Sequence, residues 1–312
     1  MKIGMVISGG DVSGINNFIF QIARLASADI TLFNGGIPGL LDKNHHEVAW
    51  RDLVDFSIAS IPIITSGRTS RRLLRSEYET IAKKIKSLRI DVLIMAGGDG
   101  SLQFLNTLSE FDINCFGVGM TIDNDVYGSD YTIGFSTACE QIIKEVSRLR
   151  NTGRALPGRV FMVEILGGYC GELTLQSAIK SNADIALIPE SQMPLETLAE
   201  RVKHKLTQQN SVVILCSEGY TREYSPGFQG AIDTMIKQLE PQIGVRIRKT
   251  IVGYGLRNGD PTCEEIYQGT IMASEVVRCI QSGMKNKAII INSSNKPIPI
   301  DLVSMKKRLV DT

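Results

Sequence analysis

Two neighbouring loops, Gly97-Gly98-Asp99-Gly100-Ser101 and Thr121-Ile122-Asp123-Asn124-Asp125, each follow directly on a short, largely apolar run. Such a run, bounded by turn residues, reads as a strand buried on both faces, and strands of that kind belong to parallel sheets covered by helices. The same alternation continues along the chain. It predicts strands over Ile3 to Ile7, Asp29 to Phe33, Val92 to Met95, Asn114 to Gly117, Val160 to Glu164, Ile185 to Ile188, Val212 to Cys216, Lys249 to Gly253 and Ala288 to Ile291. Stretches with apolar residues three or four apart, such as Thr132 to Leu149, Leu195 to Leu206 and Glu264 to Gln281, fall between them and predict helices. The expected fold class is therefore α/β, with doubly wound parallel sheets. At 312 residues there is room for two such domains. The stretch from Asn151 to Gly158, with Gly153, Pro157 and Gly158, reads as a loop and a candidate hinge between halves.

Ligands of doubly wound sheets gather at the carboxyl ends of the strands. That rule selects Ser8-Gly9-Gly10-Asp11, Gly97 to Ser101, Thr121 to Asp125, Gly167-Gly168-Tyr169, Ser217-Glu218-Gly219 and Gly253 to Arg257. Glycines at a strand-to-helix turn let backbone N–H groups face an anion. Asp99, set among such glycines, does not serve an anion itself. A carboxylate beside phosphates makes electrostatic sense when a divalent cation lies between them, because Mg²⁺ is typically held by one or two carboxylates plus substrate phosphates. The second loop adds Asp123, Asp125 and the Thr121 hydroxyl. Singly, each loop has a plainer reading: a tight turn at Ser8 to Gly10, an N-cap at Asp99, turn formers at Asp123 and Asp125. Together they describe a site for moving phosphate.

Charge narrows the partners. The formal net charge is +1 and no block of Lys or Arg stands out, so nothing points to nucleic acid or an anionic membrane. The expected partner is a small molecule. Six cysteines lie scattered without Cys-x-x-Cys pairing, and Met1 to Ile7 reads as a strand rather than a signal peptide. A reduced, cytoplasmic protein is expected. No apolar stretch approaches the about 18 residues of a membrane span.

In order and spacing, Gly97 to Ser101 and Thr121 to Asp125 resemble the phosphofructokinase family, sugar-phosphate kinases that use ATP or pyrophosphate. Ser8-Gly9-Gly10-Asp11-Val12-Ser13-Gly14-Ile15-Asn16 is similar to the family's N-terminal Gly-rich loop, and Tyr131-Thr132-Ile133-Gly134-Phe135-Ser136-Thr137-Ala138 follows the aspartates as it does there. Val163 to Gly167, Gly171-Glu172-Leu173, Ser217-Glu218-Gly219 and Gly253 to Pro261 resemble later segments, so the likeness covers residues 1 to about 285.

The resemblance implies two phosphofructokinase-like domains facing each other across the site. The donor-binding domain would take residues 1–134 plus 256–292, and the sugar-phosphate domain 135–255 plus 293–312. It implies transfer of the γ-phosphoryl of ATP to the 1-hydroxyl of fructose 6-phosphate, a glycolytic reaction, with Asp123 as general base and Thr121 orienting the transferring group. Asp99 and Asp125 would hold Mg²⁺. Gly9, Gly10, Gly98, Gly100 and Ser101 would line the phosphate chain, with backbone donors at Gly9, Gly100 and Ser101, and Arg68 would reach the donor's phosphates. At the sugar end, Arg159, Arg248 and Arg257 match arginines that grip the 6-phosphate or its neighbourhood, the first two from an adjacent subunit. Glu218 matches a glutamate that accepts from sugar hydroxyls, while Leu166, Gly167 and Gly168 would shape the sugar pocket and Tyr254 would lie against the sugar phosphate. A homo-oligomer, tetramer or dimer, follows from the same resemblance.

Several positions depart from the family. Met120 stands where ATP users carry a glycine and pyrophosphate users a lysine. Gly100 favours ATP, since pyrophosphate users commonly place an aspartate there. Phe104 replaces a glycine beside the nucleotide and Ile37 a tyrosine, which would remodel or close the adenine side. Tyr254 replaces a histidine, Gly168 an arginine, and Phe20 an effector-binding arginine. The leading expectation is an ATP-dependent 6-phosphofructokinase. The alternatives are pyrophosphate as donor or another sugar phosphate as acceptor, and a non-catalytic homologue that binds sugar phosphate without turnover.

Overall fold

The computed structural model describes residues 1–42, 44–69, 71–224 and 231–305. Its strands are β1 (Ile3–Ser8), β2 (Ile30–Phe33), β3 (His45–Val48), β4 (Val92–Gly97), β5 (Cys115–Gly119), β6 (Arg159–Ile165), β7 (Ile185–Leu187), β8 (Ser211–Ser217), β9 (Ile247–Ile251), β10 (Lys287–Ile291) and β11 (Pro297–Asp301). The helices are α1 (Ile15–Ala26), α2 (Gly36–Leu41), α3 (Arg75–Ser87), α4 (Asp99–Ser109), α5 (Phe135–Ala155), α6 (Glu172–Ser181), α7 (Leu195–Gln208), α8 (Ala231–Ile243) and α9 (Cys263–Gln281).

The chain forms two compact units. The first is Met1–Thr137 with the described part of Arg257–Leu309; the second is Ala138–Leu256. In the first unit a seven-stranded sheet runs in the order β11-β10-β5-β4-β1-β2-β3. Its inner strands are parallel, whereas β3 and β11 close the edges antiparallel to β2 and β10. The central strands β1 and β4 are buried along their whole length, as continuous apolar runs require. Helices cover them: Phe18, Ile19 and Ile22 of α1 are wholly buried, as are Leu105 and Leu108 of α4.

The second unit holds a four-stranded parallel sheet, β7-β8-β6-β9. Its core gathers Val160 and Met162 of β6, Val212 and Ile214 of β8, Val202 of α7 and Met235 and Leu239 of α8. Both arrangements are doubly wound α/β sheets.

Three expectations are corrected here. The chain passes between units at Thr137/Ala138 and Leu256/Arg257, so the stretch Asn151 to Gly158 is not the hinge. Most of that stretch is helical, because α5 continues to Ala155 before turning through left-handed Gly158 at φ 82°. Residues from 293 do not join the second unit: β11 pairs with β10 from Ile291↔Pro297 to Lys287↔Asp301, in the first unit's sheet. Residues 306–312 of that expectation lie outside the described residues.

Candidate functional site

Sheet order places the informative loops. From β1 the first sheet grows one way through β2 and the other way through β4, so the loops after β1 and β4 flank the switch point where ligands of such sheets bind. Ser8 pairs with Gly97 in register, which sets Gly9-Gly10 beside Gly98-Asp99-Gly100. A Cβ at Gly97 would strike the Ser101 side chain and the Ser8 carbonyl. By contrast, a Cβ at Gly9, Gly98 or Gly100 would meet nothing within 4 Å. These three glycines therefore border open space, and Gly9 at φ 112° also needs glycine's conformational freedom. Gly100, second residue of α4, precedes any intrahelical acceptor for its N–H and sits at the positive end of the helix dipole.

Two expected backbone donors are already engaged. Gly9 N–H donates to the Gly67 carbonyl at 3.1 Å, and Ser101 N–H to the Gly98 carbonyl at 2.9 Å. Ser101 is also buried, with its hydroxyl 3.4 Å from the Ser8 carbonyl, so it shapes the turn from within. The Gly9–Gly67 bond has a second effect. Together with Ser66 Oγ donating to the Gly9 carbonyl at 2.9 Å, it draws the segment before Arg68 alongside the glycine loop and leaves Arg68 exposed there. Arg71, by comparison, is taken up by a bidentate pair with Glu77 at 2.6 and 2.8 Å.

The loop after β5 alternates. Thr121, Asp123 and Asp125 are partly exposed, while Ile122, Asn124 and Val126 are buried, so one set of side chains anchors the loop and the other opens outward. Asn124 takes the left-handed conformation at φ 54° and donates to the Asp130 carbonyl at 3.1 Å. Thr121 Oγ1 accepts from the Asp123 N–H at 3.2 Å. Asp99 reaches the same loop: its Oδ1 accepts from the Tyr127 N–H at 3.2 Å. The carboxylates of Asp99 and Asp125 thus belong to adjoining loops. Among the described residues no group of three or more His, Cys, Asp or Glu is arranged to hold a metal ion. A two-carboxylate set suits Mg²⁺, which keeps waters and takes phosphate oxygens for its remaining positions.

Met120 is 2 % exposed and packs inside the unit, with its N–H on the Gly97 carbonyl at 3.0 Å. Phe104 is likewise in the core, 5 % exposed, its ring stacked on Tyr78 with centroids 5.2 Å apart. Arg257 falls in the first unit. Its guanidinium lies over Gly10, where a Cβ would overlap it, and Nη1 is 3.4 Å from the Asp11 carbonyl. It therefore adjoins the glycine loop that the sequence reading gave to the donor.

In the second unit the loops after the adjacent strands β6 and β8 meet. Glu218 Oε1 accepts from the Gly167 and Gly168 N–H groups at 3.1 and 2.7 Å. Gly168, at φ 57°, faces open space, and Leu166 beside it is partly exposed. The Ser217 hydroxyl is buried with no partner. Burial, and next the charge of Glu218, raise Glu164 above the usual carboxylate range. Tyr254 is 80 % exposed. Arg159 and Arg248 are not gathered with these groups. Arg159 opens β6, Arg248 pairs with Phe161 near that end, and seven residues of strand put Arg159 about 20 Å from Gly167.

The family model for phosphofructokinase matches residues 2–280. The chain belongs to the phosphofructokinase family. An ATP-dependent 6-phosphofructokinase of Spiroplasma citri is 32 % identical over 299 residues, which is 92 % of this chain and 86 % of the relative. A pyrophosphate–fructose 6-phosphate 1-phosphotransferase of Thermoproteus tenax is 29 % identical over 323 residues, 99 % of this chain and 95 % of the relative. The solved phosphofructokinase of Saccharomyces cerevisiae superposes with a TM-score of 0.84 at 25 % identity, over 97 % of this chain and 45 % of the yeast chain. The parallel-sheet units are thus a phosphofructokinase fold.

One buried acid of this chain was passed over in the sequence reasoning. Glu265 is 0 % exposed, on the same face of α9 as Gln268, Gly269 and Met272. The signal was available. A carboxylate occupies the position from which the apolar stripe continues at i+7 and i+11, with Met272 and Val276.

Proposed function

We propose that the protein is a 6-phosphofructokinase that transfers the γ-phosphoryl of ATP to the 1-hydroxyl of fructose 6-phosphate. The observation that carries this reading is the open glycine face at Gly9, Gly98 and Gly100, with Asp99 drawn onto the loop that bears Asp123 and Asp125. Arg68 and the first turn of α4 supply positive potential for the donor's phosphates. Asp99 and Asp125 would hold Mg²⁺, which would neutralise phosphate charge when bound. Asp123 takes the proton of the attacking hydroxyl, and Thr121 orients the group in transit. Glu218 fixes Gly167 and Gly168 while its remaining lone pairs accept from sugar hydroxyls, and Tyr254 lies against the sugar phosphate.

Arg159 and Arg248 complete the acceptor site of another copy, since their own strand end lies far from Gly167. The active form is therefore a homo-oligomer. All six cysteines are free, as a reducing cytoplasm keeps them, and no described helix is long and apolar enough to cross a membrane.

A second reading, pyrophosphate as donor, is favoured by one observation. Phe104, one turn of α4 beyond Gly100, is a buried ring stacked on Tyr78 at the position where the resemblance puts a glycine beside the nucleotide. The likeness to the Thermoproteus tenax phosphotransferase supports the same alternative. A titration distinguishes the two. Binding of ATP in the presence of Mg²⁺ supports the leading reading, whereas binding of pyrophosphate with none of ATP transfers the assignment to the second.

A further inference from the structure

Glu265 is the one wholly buried carboxylate among the described residues, and three donors converge on it. Its Oε1 accepts from the Gly134 N–H at 2.6 Å, while Oε2 accepts from the Thr137 N–H at 3.2 Å and the Thr137 hydroxyl at 3.0 Å. The Thr137 hydroxyl in turn accepts from the Thr262 N–H at 3.4 Å, which directs its own hydrogen to Glu265. These groups form the first turn of α5, whose dipole also favours negative charge. The other side of Glu265 packs on Gly14, which holds φ 88° at the end of the glycine loop and has no room for a Cβ there.

The segment that Glu265 holds is the one that carries the acidic loop. Ile133 donates its N–H to the Gly119 carbonyl at 3.0 Å and accepts the Thr121 N–H at 3.1 Å. Thr132 Oγ1 donates to the Thr121 carbonyl at 2.7 Å. A continuous set of hydrogen bonds therefore runs from the carboxylate through Gly134, Ile133 and Thr132 to Thr121 and on to the Asp123 N–H.

We propose that Glu265 is a positioning residue for phosphoryl transfer, whose ionised carboxylate braces the Thr132–Gly134 segment and through it sets the Thr121–Asp123 loop against the glycine loop. Both of its oxygens face donors, and the bonds from all three are strongest to the acceptor-only, ionised form. A proton removes the charge that strengthens these bonds and so loosens the brace. Burial opposes the charge and wins over the hydrogen bonds, pushing Glu265 up to about 7. The titratable group facing it is Tyr131, raised by burial and then by the Glu265 charge. From α1 it meets uncharged Gly14, from α5 Ser136 and Thr137, and its neighbour Glu264 is exposed. The brace is consequently set above neutral pH and released below it.

The inference rests on the phosphotransferase reading, and its test has two arms. In the first, kcat and KM are measured from pH 6 to 8.5 with fructose 6-phosphate and the preferred donor for the native protein, Glu265→Gln and Thr137→Val. The native kcat is expected to fall with a midpoint near pH 7. Glu265→Gln lowers kcat about tenfold at pH 8 with KM changed less than threefold, and the gap closes toward pH 6. Thr137→Val, which removes one donor to the carboxylate, moves the midpoint to higher pH by roughly half to one unit. A Glu265→Gln enzyme with native kcat and pH profile overturns the proposal, and so does a Thr137→Val midpoint that stays in place. The Thr137→Val arm decides the matter if Glu265→Gln does not fold.

The second arm is thermal unfolding over pH 5 to 8, which needs no turnover. With its folded pKa raised above the unfolded value, Glu265 contributes a loss of stability as pH rises through this window, and that loss is absent in Glu265→Gln. A native protein without turnover defeats the functional reading while the unfolding curves still report the ionisation. Parallel curves for the two proteins overturn the assignment of the ionised brace to Glu265.

Discussion

Asp123 is accessible because its neighbours are not. Ile122 and Asn124 are buried on either side of it, so the loop is anchored at every second residue and presents Thr121, Asp123 and Asp125 on its open side. In its proposed role of general base, Asp123 would be worth the usual contribution of positioned proton transfer. Asp123→Ser is expected to lower kcat by about 10²–10⁴-fold with KM for either substrate little changed, in a coupled steady-state assay. Gly100 is proposed to favour ATP as donor. A Cβ there meets no protein atom, and an aspartate in the first turn of α4 is compatible with the helix dipole. Gly100→Asp should therefore fold normally yet raise KM for ATP more than tenfold, because its charge faces the donor's phosphates. An unchanged KM would remove Gly100 from the phosphate path. Met120, which the sequence left open as a donor determinant, is buried beside the Gly100 loop, with its N–H on the Gly97 carbonyl at 3.0 Å.

Elements were legible where they are apolar and central. β1, β4, β6 and β8 are continuous hydrophobic runs, and α9 has a clear three-and-four spacing, so their existence and type follow from pattern alone. The antiparallel edges were not legible. β3 reads His45-His46-Glu47-Val48, a polar run whose strand state comes from pairing with β2, and β11 contains Pro297 and Pro299, which an edge strand tolerates. The end of α5 was missed because Gly153 and the polar residues around it resemble a loop. Packing decides otherwise: a Cβ at Gly153 would overlap the Ser211 side chain, so the glycine permits close approach of α5 to β8. An ion pair fastens the same face. Asp184, whose side chain is 5 % exposed, accepts from Arg150 at 2.8 Å, from the Val213 N–H at 2.7 Å and from Gln209 Nε2 at 2.7 Å. Asp184→Ala takes the acceptor of the Val213 N–H and one partner each from Arg150 and Gln209, which keep the Ser211 carbonyl, and urea denaturation is expected to show a loss of about 1–3 kcal/mol. A loss below about 0.5 kcal/mol would show that the group does not hold α5 to the sheet.

For the molecule as a whole, the placement of Arg159 and Arg248 sets them apart from the sugar-end loops of the same chain. Gly167, Gly168 and Glu218 lie at the carboxyl end of the second sheet, and Arg159 at the start of β6 belongs to the opposite end. The residue identities, and the expectation that Arg159 and Arg248 reach in from an adjacent subunit, were readable from the family resemblance; their place at the opposite end of the strands from Gly167 comes from the sheet register. Co-expression of Arg159→Ala with Asp123→Ser chains should therefore restore part of the activity that each variant lacks alone. Mixed oligomers with no activity would confine Arg159 to a structural role. The central claim, that these loops transfer a phosphoryl group to a sugar phosphate with Asp123 as base, has one direct test. Purified protein is assayed with Mg²⁺ and fructose 6-phosphate, with ATP and pyrophosphate compared as donors and Asp123→Ser run in parallel. The account predicts turnover, faster with ATP, that Asp123→Ser reduces at least a hundredfold; no turnover with either donor, or turnover untouched by Asp123→Ser, would contradict it.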